Sequence, residues 1–171
     1  MRILGIDPGT VRMGYGVLEE GLEVEDYGVI ALPRGMPLEE RLFQMYTHVL
    51  NLISVFNPTD IAVEEPFVGR GERRFAGPAL AVGQAQAVVL IGAASQGIPI
   101  FRYSPAQIKS SITDYGAASK EQMQEVITTT LGLKETPESD AADALSVCLC
   151  HLMQSQAGSL QNREIPPGLE R

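Results

Sequence analysis

Ile3-Leu4-Gly5-Ile6-Asp7-Pro8-Gly9-Thr10 is an apolar run that ends in a carboxylate and is then turned aside by Pro-Gly. Residues 2–7 read as a buried strand, which leaves Asp7 where the strand gives out, a usual position for working groups in α/β sheets. Taken alone, Asp7 also suits a plain turn before Pro-Gly. What the rest of the chain can bring to that carboxylate decides between the two.

Outward from this stretch, Gly14 to Leu18 and about Leu22 to Leu32 read as two further strands, joined by an acidic turn at Glu19-Glu20-Gly21. Such tight connections make the three strands antiparallel neighbours. Leu38, Leu42, Met45, Tyr46, Val49, Leu50, Ile53 and Phe56 then recur at helical spacing, and Asn57-Pro58 stops that helix. Asp60 to Glu64 is a fourth strand, again ending in a carboxylate; reached through a helix, it should run parallel to its neighbour. Residues 68–78 form a Gly-rich basic loop. The helix from Ala79 to Gln96 is almost free of charge, so it must be covered on more than one side, by the fold or by a partner subunit.

Residues 99–103 are a fifth strand, and Ser104-Pro105 opens a short helix carrying Lys109. A further helix spans about Ser119 to Leu131, and the last begins at Thr136-Pro137 and reaches about Met153. The order βββαβαβ followed by helices predicts an α/β fold: a five-stranded mixed sheet, three antiparallel strands and then parallel ones, flanked by helices. Residues 1–155 are expected to form one domain and 156–171 a flexible C-terminal tail.

At 171 residues, 44% hydrophobic and 20% charged, the chain can bury a sizeable core. It has no apolar run of about twenty residues and no signal-peptide pattern, so neither a membrane span nor secretion is expected. Cys148 and Cys150 sit two apart in an expected helix, point to different sides and cannot easily bridge each other, which suits reduced thiols in the cytoplasm. A net charge of −8 argues at face value against a nucleic-acid partner. The acids are unevenly spread, however: Glu19, Glu20, Glu23, Glu25 and Asp26 crowd one stretch, whereas Arg70, Arg73 and Arg74 cluster elsewhere.

Asp140 and Asp143, three apart in the first turn of the last helix, share a face. Ala141, Ala142 and Ala144 around them leave room for close approach, and the helix dipole favours both ionised forms. The pair alone would also fit an ordinary acidic N-terminal turn, and Glu64 alone a solvated strand end. Glu65 should face the other side of its strand and be peripheral. Brought together at one end of the sheet, Asp7, Glu64, Asp140 and Asp143 would repel one another and stay ionised only if cations held them. An all-oxygen donor set suits Mg²⁺ or Mn²⁺, and two such ions can activate water and stabilise the leaving oxygen at a phosphodiester. His48 reads as a helix-surface residue and His151 as a helix C-terminal one.

Gly5-Ile6-Asp7-Pro8-Gly9-Thr10 with Gly14-Tyr15-Gly16-Val17 resembles the opening of the RuvC-type Holliday junction resolvases. So do Ala62-Val63-Glu64 with Phe67, Leu80-Ala81-Val82-Gly83-Gln84-Ala85, and Asp140-Ala141-Ala142-Asp143-Ala144-Leu145, in unbroken order over about residues 2–155. The resemblance implies an RNase H-like fold, a homodimer, and nicking of four-way DNA junctions with divalent metal, two ions per active site. It implies Asp7, Glu64, Asp140 and Asp143 as metal ligands, with Glu65 outside the set. Lys109 matches the family's lysine near the scissile phosphate, and Lys120 another basic position, although Lys120 also fits a solvated surface residue. Phe67 fits either a stacking platform for a splayed base or the core. Branch-migration helicase machinery is the implied partner. The chain departs from the family pattern in a longer segment between Phe67 and Leu80, bearing Arg70, Arg73 and Arg74 as expected DNA contacts. It also departs in Gln86 where arginine is frequent, and in its acidic balance.

Two rival readings remain at this level. One is a phosphate-binding lobe related to actin-like ATPases and sugar kinases, which leaves Asp140 and Asp143 without a task. The other is a relative that binds junctions without cutting, against which stands the presence of all four acids.

Overall fold

The computed structural model describes residues 1–65, 76–113 and 118–161. Three sequential strands, β1 (Arg2–Asp7), β2 (Arg12–Glu19) and β3 (Val24–Ala31), form an antiparallel meander, because their short connections leave no room for a crossover. The acidic turn between β2 and β3 closes with Leu22 at φ 65°, and Leu22 N–H donates to the Glu19 carbonyl. Helix α1 (Leu38–Phe56) then crosses to β4 (Asp60–Glu64), which lies parallel to β1. Asn57 ends α1 in the left-handed conformation expected of a residue that must stop the helix ahead of Pro58.

Helix α2 (Ala76–Ser95) crosses to β5 (Ile100–Tyr103), parallel to β4, and completes a five-stranded sheet in the order β3-β2-β1-β4-β5. The predicted mixed sheet is therefore present, strand for strand. Helices α3 (Pro105–Ile112), α4 (Lys120–Thr130) and α5 (Ser139–Gln161) follow. Ser104 and Ser119 begin α3 and α4 with reciprocal capping boxes to Gln107 and Gln122, which satisfy backbone N–H groups that a helix start otherwise leaves open.

Strand alternation sorts the core onto two faces. Leu4, Ile6, Met13, Val17, Ile61 and Val63 pack with Met45, Val49 and Ile53 of α1 and Ala85, Val88 and Val89 of α2. On the other face Ile3, Leu18 and Ala62 meet α5, with α3 and α4 outside it through Ile108, Met123 and Ile127. Fully burying a large apolar side chain contributes about 1.5–3 kcal/mol, and Leu145, Leu149 and Leu152 of α5 are all in that class. This helix is covered by the sheet on one side and by helices on the other, so it anchors the second layer.

Three boundaries differ from expectation. α2 starts at Ala76 because Pro78 falls in its first turn, where the missing N–H has no helical acceptor to serve. α5 starts at Ser139 rather than Thr136-Pro137, and it continues to Gln161 beyond the point where a tail was expected. Each added residue gains a backbone hydrogen bond at little nucleation cost. His151 is consequently not at a helix C-terminus: it is buried inside α5, with Nδ1 2.7 Å from the Tyr103 hydroxyl. His48 is exposed on α1, as read. Both cysteines are buried, free thiols.

Candidate active site

Ile6 of β1 sits opposite Val63 of β4 in the parallel ladder, so the residues that follow, Asp7 and Glu64, end the two strands side by side. Both point to the α5 face, the face of Ile3 and Ala62 two residues or four residues before them. α5 is delivered to the same place by missing side chains. Gly14 is the cross-strand partner of Asp7, and Gly5 is the partner of Gly16. A Cβ on Gly14 would collide with the Asp140 carbonyl oxygen, and one on Gly5 with the Ala144 carbonyl and Cys148 Sγ. The helix backbone thus lies directly on the strands, and its N-terminal part presents Asp143 beside Asp7 and Glu64.

These three acids line an open cleft of about 380 Å³, together with Lys109 of α3, Lys120 of α4 and Glu65. Burial is the first reason their protons are held tightly. It pushes Asp7 up to about 8, with repulsion from Glu64, Asp143 and Asp140 adding to it. Burial and then Asp143 push Glu64 up to about 7, against the opposing pull of Lys120 and Lys109. Asp143 is also raised, chiefly by burial and against the opposing pull of Lys120, where the helix position alone pointed to an ionised acid. Among the described residues the Asp7 and Glu64 carboxylates have no hydrogen-bond or ion-pair partner.

The acids of α5 are differently placed. Asp143 receives Lys120 Nζ at 3.3 Å, and that ammonium is also 3.3 Å from Ser139 Oγ. Asp140 stands at the rim, outside the cleft lining, with its Oδ2 held at 2.5 Å by Arg12 Nε. The structure therefore gathers Asp7, Glu64, Asp143, Lys109 and Lys120, and places Asp140 next to them. Phe67, Arg70, Arg73 and Arg74 lie outside the described residues.

Several contributors escaped the sequence. Glu65 lines the cleft although it was expected on the far side, because β4 ends at Glu64 and strict alternation ends with it; its Oε1 is 4.0 Å from Arg102 Nε. Gln86 of α2 donates to the Glu64 carbonyl at 3.3 Å, tying the strand end to the cleft wall. Arg12 had no signal in spacing. The glycines did: positions 5, 14 and 16 fall on one face of adjacent strands, the pattern of a sheet that a helix approaches closely.

The donor set fits a hard divalent cation. It is all oxygen and partly withdrawn from water, and Asp7 and Glu64 are acids whose charged forms burial disfavours, so a cation among them would supply the charge that lets them ionise. Among the described residues no three candidate ligands are clustered tightly enough to enclose an ion outright, in keeping with the engagement of Asp143 by Lys120 and Asp140 by Arg12.

The family model of the crossover junction endodeoxyribonuclease RuvC matches residues 3–151. A RuvC crossover junction endodeoxyribonuclease of Chloroflexus aggregans is 45% identical over 155 residues, covering 88% of this chain and 92% of the relative. The structure of Thermus thermophilus RuvC in complex with Holliday junction substrate superposes with a TM-score of 0.81 at 32% identity, covering 93% of this chain and 97% of that one. The yeast mitochondrial Holliday junction resolvase Ydc2, at 19% identity and a TM-score of 0.64, shares the fold, covering 95% of this chain and 82% of that one. The mixed sheet with its flanking helices is thus RNase H-like, and nucleases of this family depend on metal. By family model, by sequence and by structure alike, the chain belongs to the RuvC family of crossover junction endodeoxyribonucleases.

Proposed function

We propose that this chain is an endonuclease that resolves four-way DNA junctions by paired, symmetric nicks, leaving 5′-phosphate and 3′-hydroxyl ends that a ligase can seal. The observation that carries this reading is the cleft itself: Asp7, Glu64 and Asp143 converge beside two lysines, in a member of a metal-dependent nuclease family.

In this proposal Asp7, Glu64, Asp140 and Asp143 hold two Mg²⁺ or Mn²⁺ ions. When bound, such ions supply Lewis acidity at the phosphodiester and ease deprotonation of an attacking water. Lys109, which lines the cleft and forms no ion pair among the described residues, serves as a point charge for the scissile phosphate. Lys120 reaches the same cleft and provides a second phosphate contact. Phe67, Arg70, Arg73 and Arg74 complete the DNA surface by their place in the sequence, the arginines offsetting the acidic hairpin far from the cleft. Residues 1–155 form the nuclease domain, with the residues from 156 onward outside the working unit.

The working form is a homodimer. Gly83, Ala87 and Ala94 with the exposed Leu80 and Ile91 give α2 an uncharged outer stripe, and small residues let two such helices approach closely. A two-fold pair of sites matches the symmetry of a four-way junction. The protein acts with branch-migration helicase machinery in the cytoplasm; no helix among the described residues is long and apolar enough to cross a membrane.

Pure protein, a labelled synthetic junction and Mg²⁺ test the reading. Symmetric nicks that ligase can reseal are the expected product. A junction that is bound but stays intact with both Mg²⁺ and Mn²⁺ would overturn it.

A further inference from the structure

Asp140 and Asp143, one turn apart near the start of α5, each already hold a cation supplied by the chain. Lys120 sits on Asp143, while Arg12, the first residue of β2, sits on Asp140. The Arg12 contact has a feature the Lys120 contact lacks. Its Nε reaches Asp140 Oδ2 at 2.5 Å, while Nη2 of the same guanidinium reaches Glu138 Oε2 at 2.6 Å. Glu138 lies one residue before α5 and is the most exposed of the three, at 71% against 46% for Arg12 and 27% for Asp140. The guanidinium fork therefore has a second acidic perch on the solvent side of the first, and it can give up Asp140 without becoming unpaired.

We propose that Arg12 is a positioning residue that acts as an internal counter-cation for Asp140, displaced outward onto Glu138 when a divalent ion takes up the Asp140 carboxylate. Two physical arguments fix the direction of the effect. A guanidinium on Oδ2 occupies an oxygen that a cation needs, and its positive charge opposes the arrival of another. The fixed part of the arrangement is the helix backbone, seated on Gly14, so moving the Arg12 side chain does not require α5 to move. Arg12 thereby lowers metal affinity while offsetting one of the two carboxylate charges at the metal-free rim. Glu138 raises metal affinity by giving the guanidinium somewhere else to sit.

This inference rests on the proposed role of Asp140 as a ligand, and direct metal binding without DNA separates the two. Calorimetric titration of the full chain with Mn²⁺ and with Mg²⁺ is compared for wild type, Arg12→Gln, Arg12→Lys, Glu138→Gln and Asp140→Asn. Removal of the charge in Arg12→Gln is expected to tighten binding roughly three- to tenfold, from loss of a competing, half-exposed ion pair and its repulsion. The gain should shrink in high salt, and Arg12→Lys should remain close to wild type. Glu138→Gln should act in the opposite sense and weaken binding, because Arg12 then rests on Asp140 alone. Weaker or equal binding by Arg12→Gln would overturn the inference, and weaker binding with a lowered Tm would assign Arg12 to clamping α5 instead. Unchanged binding by Asp140→Asn would overturn the ligand role of Asp140 itself.

Discussion

Replacing Asp7 by asparagine should stabilise the metal-free protein at alkaline pH while removing the metal's hold on it. Asp7 is pushed up from 3.8 to about 8, first by burial and then by its acidic neighbours. The folded protein therefore keeps a proton that the unfolded chain has already released over that interval. Stability from this group is complete below about pH 4 and is lost as pH rises toward 8. At about 1.4 kcal/mol per pH unit, ionising Asp7 inside the fold costs on the order of 5 kcal/mol. Part of that returns, because Glu64 and Asp143 can take up a proton when Asp7 gives one up. Asparagine has the same shape without the charge, so a gain of about 2–3 kcal/mol is expected near pH 8.5, or about 5–10 °C in Tm for a chain of this size. Thermal unfolding in EDTA at about pH 5 and pH 8.5 reads this directly, with the difference between variant and wild type small at the lower pH. Added Mg²⁺ should then reverse the order, since only the wild type gains fully from binding. An Asp7→Asn protein that is no more stable than wild type at pH 8.5 in EDTA would refute the reasoning.

Gly14→Ala should drive its new methyl group into the Asp140 carbonyl, lower stability by about 2–4 kcal/mol and weaken metal binding; near-wild-type values in melting and titration would contradict the account of α5 seating. Lys109→Ala should leave folding intact and slow the chemical step by about 10²-fold in single-turnover cleavage, and a wild-type rate would remove Lys109 from the mechanism. Leu80→Glu combined with Ile91→Glu should give a monomer in light scattering without loss of Tm, because both side chains are exposed in one copy, at 64% and 61%. A dimer that survives both changes places the interface elsewhere.

Much of the site was legible because its acids stand at places that local rules mark. Asp7 and Glu64 each end an apolar run, and Asp140 and Asp143 share a helical turn. What local rules could not supply is environment. Helix-dipole reasoning expected ionised acids on α5, yet burial raises Asp143, and burial depends on what α3, α4 and the sheet enclose. Likewise His151 read as a terminal residue, whereas the packing of α5 against β5 makes it an interior partner of Tyr103.

The sequence by itself determined the strand order in time, the helix starts that carry capping boxes, and the four acids, because each of these is written in a few adjacent residues. It also contained the glycines that let a helix lie on the sheet. Only the tertiary structure decided that Gly14 pairs with Asp7 and receives Asp140, and that Glu65 joins the cleft. It alone decided that Arg12 crosses from β2 to hold Asp140 and Glu138, residues more than a hundred positions away. Contacts of that kind depend on how layers stack, and stacking is a property of the whole core rather than of any stretch within it.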